Sequence, residues 1–133
     1  MVTAKIDANH AFGRPAVLVI DDSDIDRQAI SDLLTQAGYE VHGLPTPIGA
    51  TRIARQLNVK VVIIDQNLPA MDGSKLAALF RKNPSMAAIR VVLVSGGDEK
   101  AMTALAREAQ VDAFVSKRAM HEQLVKTVRR LVV

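Results

Sequence analysis

The chain has 133 residues, enough for one domain with a buried core, and 49% of them are hydrophobic against 23% charged, which excludes a disordered chain. It has no Cys, which excludes a disulfide framework and a thiolate metal site and fits a reducing compartment. Its net charge of +3 brings no basic stripe interleaved with aromatics: Arg52-Arg55 and Lys126-Arg129-Arg130 read as solvated helix faces, so direct nucleic-acid binding is not expected.

Residues 1–15 read as a leader without the apolar stretch of a signal peptide, and 16–133 as the domain. The longest apolar run is far short of a membrane span, so a cytoplasmic protein with no membrane contact is expected. With three Phe, one Tyr and no Trp, the core must be aliphatic.

The run Ala16-Val17-Leu18-Val19-Ile20 is strand-like and closes on Asp21-Asp22. Ser23 can cap the helix that follows, where Ile25, Ala29, Ile30, Leu33, Leu34 and Ala37 form one apolar stripe before Gly38 stops it. Glu40 to Leu44 reads as a weaker strand, and Thr46-Pro47 as the capped start of a second helix through Ala50, Ile53, Ala54 and Leu57. Val61 to Ile64 is the third strand and closes on Asp65; Gln66 to Gly73 is a loop. Ser74 can cap a helix carrying Leu76, Leu79 and Phe80, which Asn83-Pro84 terminates. Val91 to Val94 is the fourth strand, ending on Ser95, and the loop Ser95-Gly96-Gly97-Asp98 leads into a helix with Met102, Leu105, Ala106 and Ala109. The fifth run, Val111 to Val115, ends just before Lys117, and the last helix begins near Ala119 with Met120, Leu124, Val128 and Leu131 on one side.

The strong strands are apolar on both parities, as in a parallel sheet covered on both faces. Five β-α units with right-handed crossovers give an open, doubly wound α/β sandwich, whose function sits at the carboxyl ends of the strands. At that edge fall Asp21, Asp22, Asp65, Ser95 and Lys117. Three carboxylates, a hydroxyl and an ammonium in one pocket are the chemistry of a magnesium-assisted phosphoryl site.

Taken singly, each residue has a plainer reading. Asp21-Asp22 fits a helix cap as readily as a cation site, Asp65 a bond to the next loop, and Ser95 and Lys117 ordinary loop and surface positions. Yet a carboxylate directly after four buried β-branched or aliphatic residues costs energy unless compensated, and three such charges repel one another. A bound cation relieves that repulsion, and so would Lys117. Aspartate can also attack phosphorus to give an acyl phosphate, the role favoured for Asp65. The three His residues, 10, 42 and 121, share no metal spacing, and no Walker-type or Gly-x-Gly-x-x-Gly loop is present.

Four segments, in order and covering roughly residues 16–132, give the chain a resemblance to the receiver domain of two-component response regulators. They are Val-Leu-Val-Ile-Asp21-Asp22, Ile-Ile-Asp65-Gln-Asn67-Leu-Pro69-Ala-Met-Asp72-Gly73, Val-Leu-Val-Ser95-Gly96 and Asp112-Ala-Phe114-Val-Ser-Lys117. The resemblance implies a flavodoxin-like fold: a five-stranded parallel sheet in the order 2-1-3-4-5 flanked by five helices. It also implies that Asp65 accepts a phosphoryl group from a sensor histidine kinase or a histidine phosphotransfer protein. Mg²⁺ would be held by Asp22, Asp65 and the Asn67 carbonyl, with Asp21 acting largely through water. Ser95 and Lys117 would each engage a phosphoryl oxygen. Phe114 would follow Ser95 as the switch aromatic, changing the partners of the face made by the fourth helix, fifth strand and fifth helix.

By the same resemblance the chain is no enzyme beyond assisting its own phosphorylation and dephosphorylation. Its partner would be a downstream protein or a fused output module, with a phosphorylation-dependent homodimer as a further option. Three positions depart from the family's usual pattern: Ser95 for Thr, Phe114 for Tyr, and Arg118 where proline, often after a cis peptide, follows the lysine. A cis bond to a non-proline residue costs roughly 3 kcal/mol, and the sequence leaves both isomers open.

Two other readings stand beside this one. A pseudo-receiver would keep the fold and signal by binding alone. A haloacid-dehalogenase-type phosphatase would use Asp22-Ser-Asp24, but it leaves Asp65 unexplained and lacks the late acidic pair such a site needs.

Overall fold

A computed structural model describes residues 13–132, so the leader expected over 1–15 lies outside the described residues as far as residue 12, and His10 and Val133 lie outside them too. The strands are β1 (Ala16–Ile20), β2 (Glu40–Leu44), β3 (Val61–Asp65), β4 (Arg90–Ser95) and β5 (Ala113–Ser116). The helices are α1 (Asp24–Gln36), α2 (Ala50–Gln56), α3 (Gly73–Lys82), α4 (Glu99–Glu108) and α5 (Met120–Val132). Short 3₁₀ turns at Pro84–Met86 and Lys117–Ala119 precede β4 and α5.

All strand pairs are parallel and the order is β2-β1-β3-β4-β5, the expected doubly wound, flavodoxin-like sheet. Alternating side chains divide the interior into two halves. Leu18, Ile20, Val62, Ile64, Val91 and Leu93 pack under α2, α3 and α4, where Ala54, Leu76, Phe80 and Met102 close that side. Val17, Val19, Val61, Ile63, Val92 and Val94 pack under α1 and α5, against Ile30, Leu34, Leu124 and Val128. The three central strands are buried on both faces, which is why their sequences show no alternation. The edge strand β2 is only half buried and reads correspondingly weaker.

Three local expectations are corrected. The second helix begins at Ala50, not at Thr46-Pro47: the Thr46 hydroxyl accepts from the Ile48 N–H (3.2 Å), and Gly49 takes a left-handed φ of +76°, which no helix continues through. Ser74 does not cap α3, where Asp72 holds the N-cap position; the Ser74 N–H donates to Gln66 Oε1 (2.9 Å). The stripe of α1 is narrower than its sequence suggests. Ile30 and Leu34 are buried, whereas Ala29 is exposed and Ile25, in the first turn beyond the end of β1, is 82% exposed. The Ser23 cap itself is present, its hydroxyl accepting from the Asp26 N–H (3.2 Å).

Candidate functional site

The register sets the site. Ile20 pairs with Ile64, Ile64 with Leu93, and Leu93 with Phe114, so the next residue of each strand lies at a common level on the sheet's carboxyl edge. That puts Asp21 beside Asp65 at the junction of β1 and β3, with Ser95 and Lys117 one and two steps further out on β4 and after β5. The strand order reverses at β1, and the acidic pair sits where chains diverge to opposite faces.

Single oxygens of Asp21, Asp22 and Asp65 lie within 4.8 Å of one another. Asp22 is exposed, while Asp21 and Asp65 are buried. Lys117 Nζ lies 3.2 Å from Asp21 Oδ2 and 3.4 Å from Asp65 Oδ1. These are ion-pair distances without hydrogen-bond alignment, and both buried oxygens are left with no hydrogen-bond partner. Its shortest contact is with Asp26 Oδ2, at 2.7 Å.

Burial pushes the Asp65 carboxyl above its ordinary range, and repulsion from Asp21 adds to this; Lys117 and the Asn67 backbone N–H pull the other way without cancelling it. For Lys117, burial disfavours the ammonium, but the bond to Asp26 and the charges of Asp65 and Asp21 outweigh burial, so it is held protonated above the usual lysine range. The pocket is therefore an electrostatic misfit: one ammonium pairs with three carboxylates, Asp22 adds a fourth beside them, and two buried oxygens remain unsatisfied. A hard dication that takes oxygen ligands and keeps several waters fits such a donor set.

The loop after β3 is folded back onto the strand end. Gln66 accepts the Gly73 N–H on its carbonyl and the Ser74 N–H on its side chain, both at 2.9 Å. This close return is what requires Gly73, because a Cβ there would lie 2.3 Å from the Asp65 carbonyl oxygen. Asn67, exposed two residues past Asp65, opens that loop. The buried Ser95 hydroxyl accepts from the Gly97 N–H (3.0 Å), which leaves its own O–H able to donate. Phe114 stands away from the acidic edge: half-buried in β5, it packs on the α2–α4 side of the core and borders a depression with Lys126, Thr127 and Arg130. No peptide among the described residues is cis, so Lys117-Arg118 is trans, and the Arg118 guanidinium donates to the Gly97 carbonyl (3.2 Å) across the mouth of the site.

Asp21, Asp22, Asp65 and Lys117 thus meet as expected, with Ser95 at the same edge. Sequence reasoning missed Asp26. An acidic residue in a first helical turn reads as a complement to the helix dipole, and only the fold shows that it reaches a lysine 91 positions away. It also missed Arg27, whose guanidinium donates to the Asp21 carbonyl (2.8 Å) and braces the end of β1.

Residues 17–129 match the response regulator receiver domain. The protein-glutamate methylesterase/protein-glutamine glutaminase 1 of Anaeromyxobacter dehalogenans (strain 2CP-C) is 32% identical over 120 residues, 89% of this chain and 34% of that protein. The polar-differentiation response regulator DivK of Brucella ovis is 21% identical over 118 residues, 86% of this chain and 93% of its own. The chain spans about a third of the length of the methylesterase relatives it matches. Among solved structures, the chemotaxis protein CheY4 of Vibrio cholerae superposes with a TM-score of 0.81 at 25% identity, covering 90% of this chain and 99% of that one. Sheet order, the acidic edge and the matched residues agree: the chain belongs to the response regulator receiver domain family.

Proposed function

We propose that this receiver domain is a phosphoacceptor. A carboxylate oxygen of Asp65 attacks the phosphorus of a phosphohistidine on a sensor kinase or histidine phosphotransfer protein. As the new O–P bond forms, the P–N bond breaks, and its electron pair returns to the imidazole ring. The product is an aspartyl phosphate on this chain and a free histidine on the donor.

The observation that carries this reading is the pair of buried, unpartnered oxygens, Asp21 Oδ2 and Asp65 Oδ1, beside Asp22 and Lys117. Asp22, Asp65 and the Asn67 carbonyl would hold Mg²⁺, with Asp21 acting mainly through water. The ion would supply positive charge for the transferring oxygens. Lys117 and the Ser95 O–H supply the remaining donors. Once the phosphate is in place, Ser95 turns toward it and Phe114 follows, changing the face of α4, β5 and α5. That change is read by a downstream protein, by a fused output module, or by a second copy in a homodimer. The domain acts as a switch, not as an enzyme on another substrate, and works in the cytoplasm; no helix among the described residues is long and apolar enough to cross a membrane.

The test is intact mass after incubation with Mg²⁺ and acetyl phosphate, for the wild type and Asp65→Asn. A single phosphate adduct on the wild type alone, lost when the metal is chelated, is expected. A folded wild type that gains none would make the chain a pseudo-receiver.

A further inference from the structure

The two oxygens that lack a hydrogen bond, Asp21 Oδ2 and Asp65 Oδ1, are also the two that face Lys117 from beyond 3 Å. An ammonium and a dication cannot both neutralise them fully, so an ion entering the pocket competes with Lys117 for the same atoms. Asp26 is the third carboxylate on that ammonium and the nearest, 2.7 Å away. Its carboxylate has no helix-capping duty, because the N-cap Ser23 donates its backbone N–H to Asp21 Oδ1 (3.0 Å) and not back to Asp26. It is 39% exposed and bridges the first turn of α1 to the segment after β5.

Resting on the phosphoacceptor reading, we propose that Asp26 is a positioning residue of the site: it seats the Lys117 ammonium so that Asp21 and Asp65 are free to receive a divalent cation. Without that seat the ammonium has only Asp21 and Asp65 to pair with and settles onto them, blocking the oxygens that the ion requires. With it, Lys117 stays charged at the rim of the pocket, within reach of a phosphoryl group on Asp65.

The molecule carries its own control. Asp24 lies in the same helical turn with the same charge but is 86% exposed and bonded to Arg27, away from Lys117. Titration calorimetry of the full chain with MgCl₂ compares wild type, Asp26→Asn and Asp24→Asn, each first checked for folding by circular dichroism. Asp26→Asn should weaken Mg²⁺ binding by about threefold to tenfold, and Asp24→Asn by less than about twofold. In a Lys117→Met background the effect of Asp26→Asn should shrink to that of Asp24→Asn, because the cation it positions has been removed. Asp26→Ser carries the same expectation should the amide variant fail to fold.

Equal effects of the Asp26 and Asp24 variants, or an Asp26 effect that survives in Lys117→Met, overturn the proposal, since only the general field would then be acting. A wild type that binds no Mg²⁺ overturns the phosphoacceptor reading and this one with it. A wild type that binds Mg²⁺ and is indifferent to Asp26→Asn overturns this one alone.

Discussion

Two charged clusters sit at opposite ends of the same sheet, and they are built on opposite terms. At the amino end of β4, Asp112 accepts from Arg81, from Arg90 (3.3 Å) and from the Val91 N–H (2.7 Å), while Arg81 also bonds the Ile89 carbonyl (2.9 Å). Every acceptor there has its donor, and the cluster ties α3 to β4 and β5. At the carboxyl end, Asp21 and Asp65 are buried more deeply, yet one oxygen of each has no hydrogen bond. A saturated cluster of charges holds a fold together. One left short of positive charge is held together by the fold, and its unmet need marks where a ligand belongs.

The largest effect expected is at the backbone under the unsaturated site. Gly73→Ala drives a Cβ into the Asp65 carbonyl and should cost about 3 kcal/mol in urea unfolding, or force the loop open and lose the acidic geometry. Next comes the saturated cluster. Asp112→Ala strands Arg81 and the Val91 N–H together and should cost about 2 kcal/mol by the same measurement.

Asp65→Asn should have the opposite sign, stabilising the metal-free protein at neutral pH by about 1 kcal/mol, because it removes a buried charge repelled by Asp21. Destabilisation by Asp65→Asn as large as that by Asp112→Ala would dissolve the contrast between the two ends.

The pH dependence follows from the same shift. The folded-state pKa of Asp65 is raised, so the native state holds its proton more tightly than the unfolded chain does. Its contribution to stability is therefore lost as pH rises through the raised value, and regained as pH falls toward the ordinary 3.8. Thermal unfolding across that window should show a slope in the metal-free wild type that Asp65→Asn removes. The smallest effect belongs to Arg118→Ala, whose exposed bond to Gly97 should be worth less than about 0.5 kcal/mol.

The carboxyl-edge residues were legible because burial on both faces writes an unbroken apolar run. A lone Asp, Ser or Lys closing such a run marks the strand's end whatever the details of packing. Register then brings those ends together, which is why the sequence already groups Asp21, Asp65, Ser95 and Lys117. The motif around Asp65 gave the family.

What stayed hidden depends on contacts between distant segments. Asp26 has a local reason to be acidic in the first turn of α1, and its real partner lies 91 residues on. Gly73 reads as a loop residue, although its reason is the carbonyl of Asp65 pressed against it. Thr46-Pro47 carries a good helix start signal that a left-handed Gly49 overrides. Local propensity was outvoted in each case by a contact or a turn that sequence spacing does not display.

Where the phosphoryl group lands decides whether Asp65 is a metal-dependent phosphoacceptor. The protein is treated with acetyl phosphate and Mg²⁺, the acyl phosphate is reduced with borohydride, and the tryptic peptide spanning residues 61–75 is fragmented. Homoserine is expected in place of Asp65, absent when the metal is chelated, with Asp72 in the same peptide unchanged. Homoserine at Asp72 in place of Asp65, a peptide with no homoserine at all, or the same yield without metal, would overturn that reading.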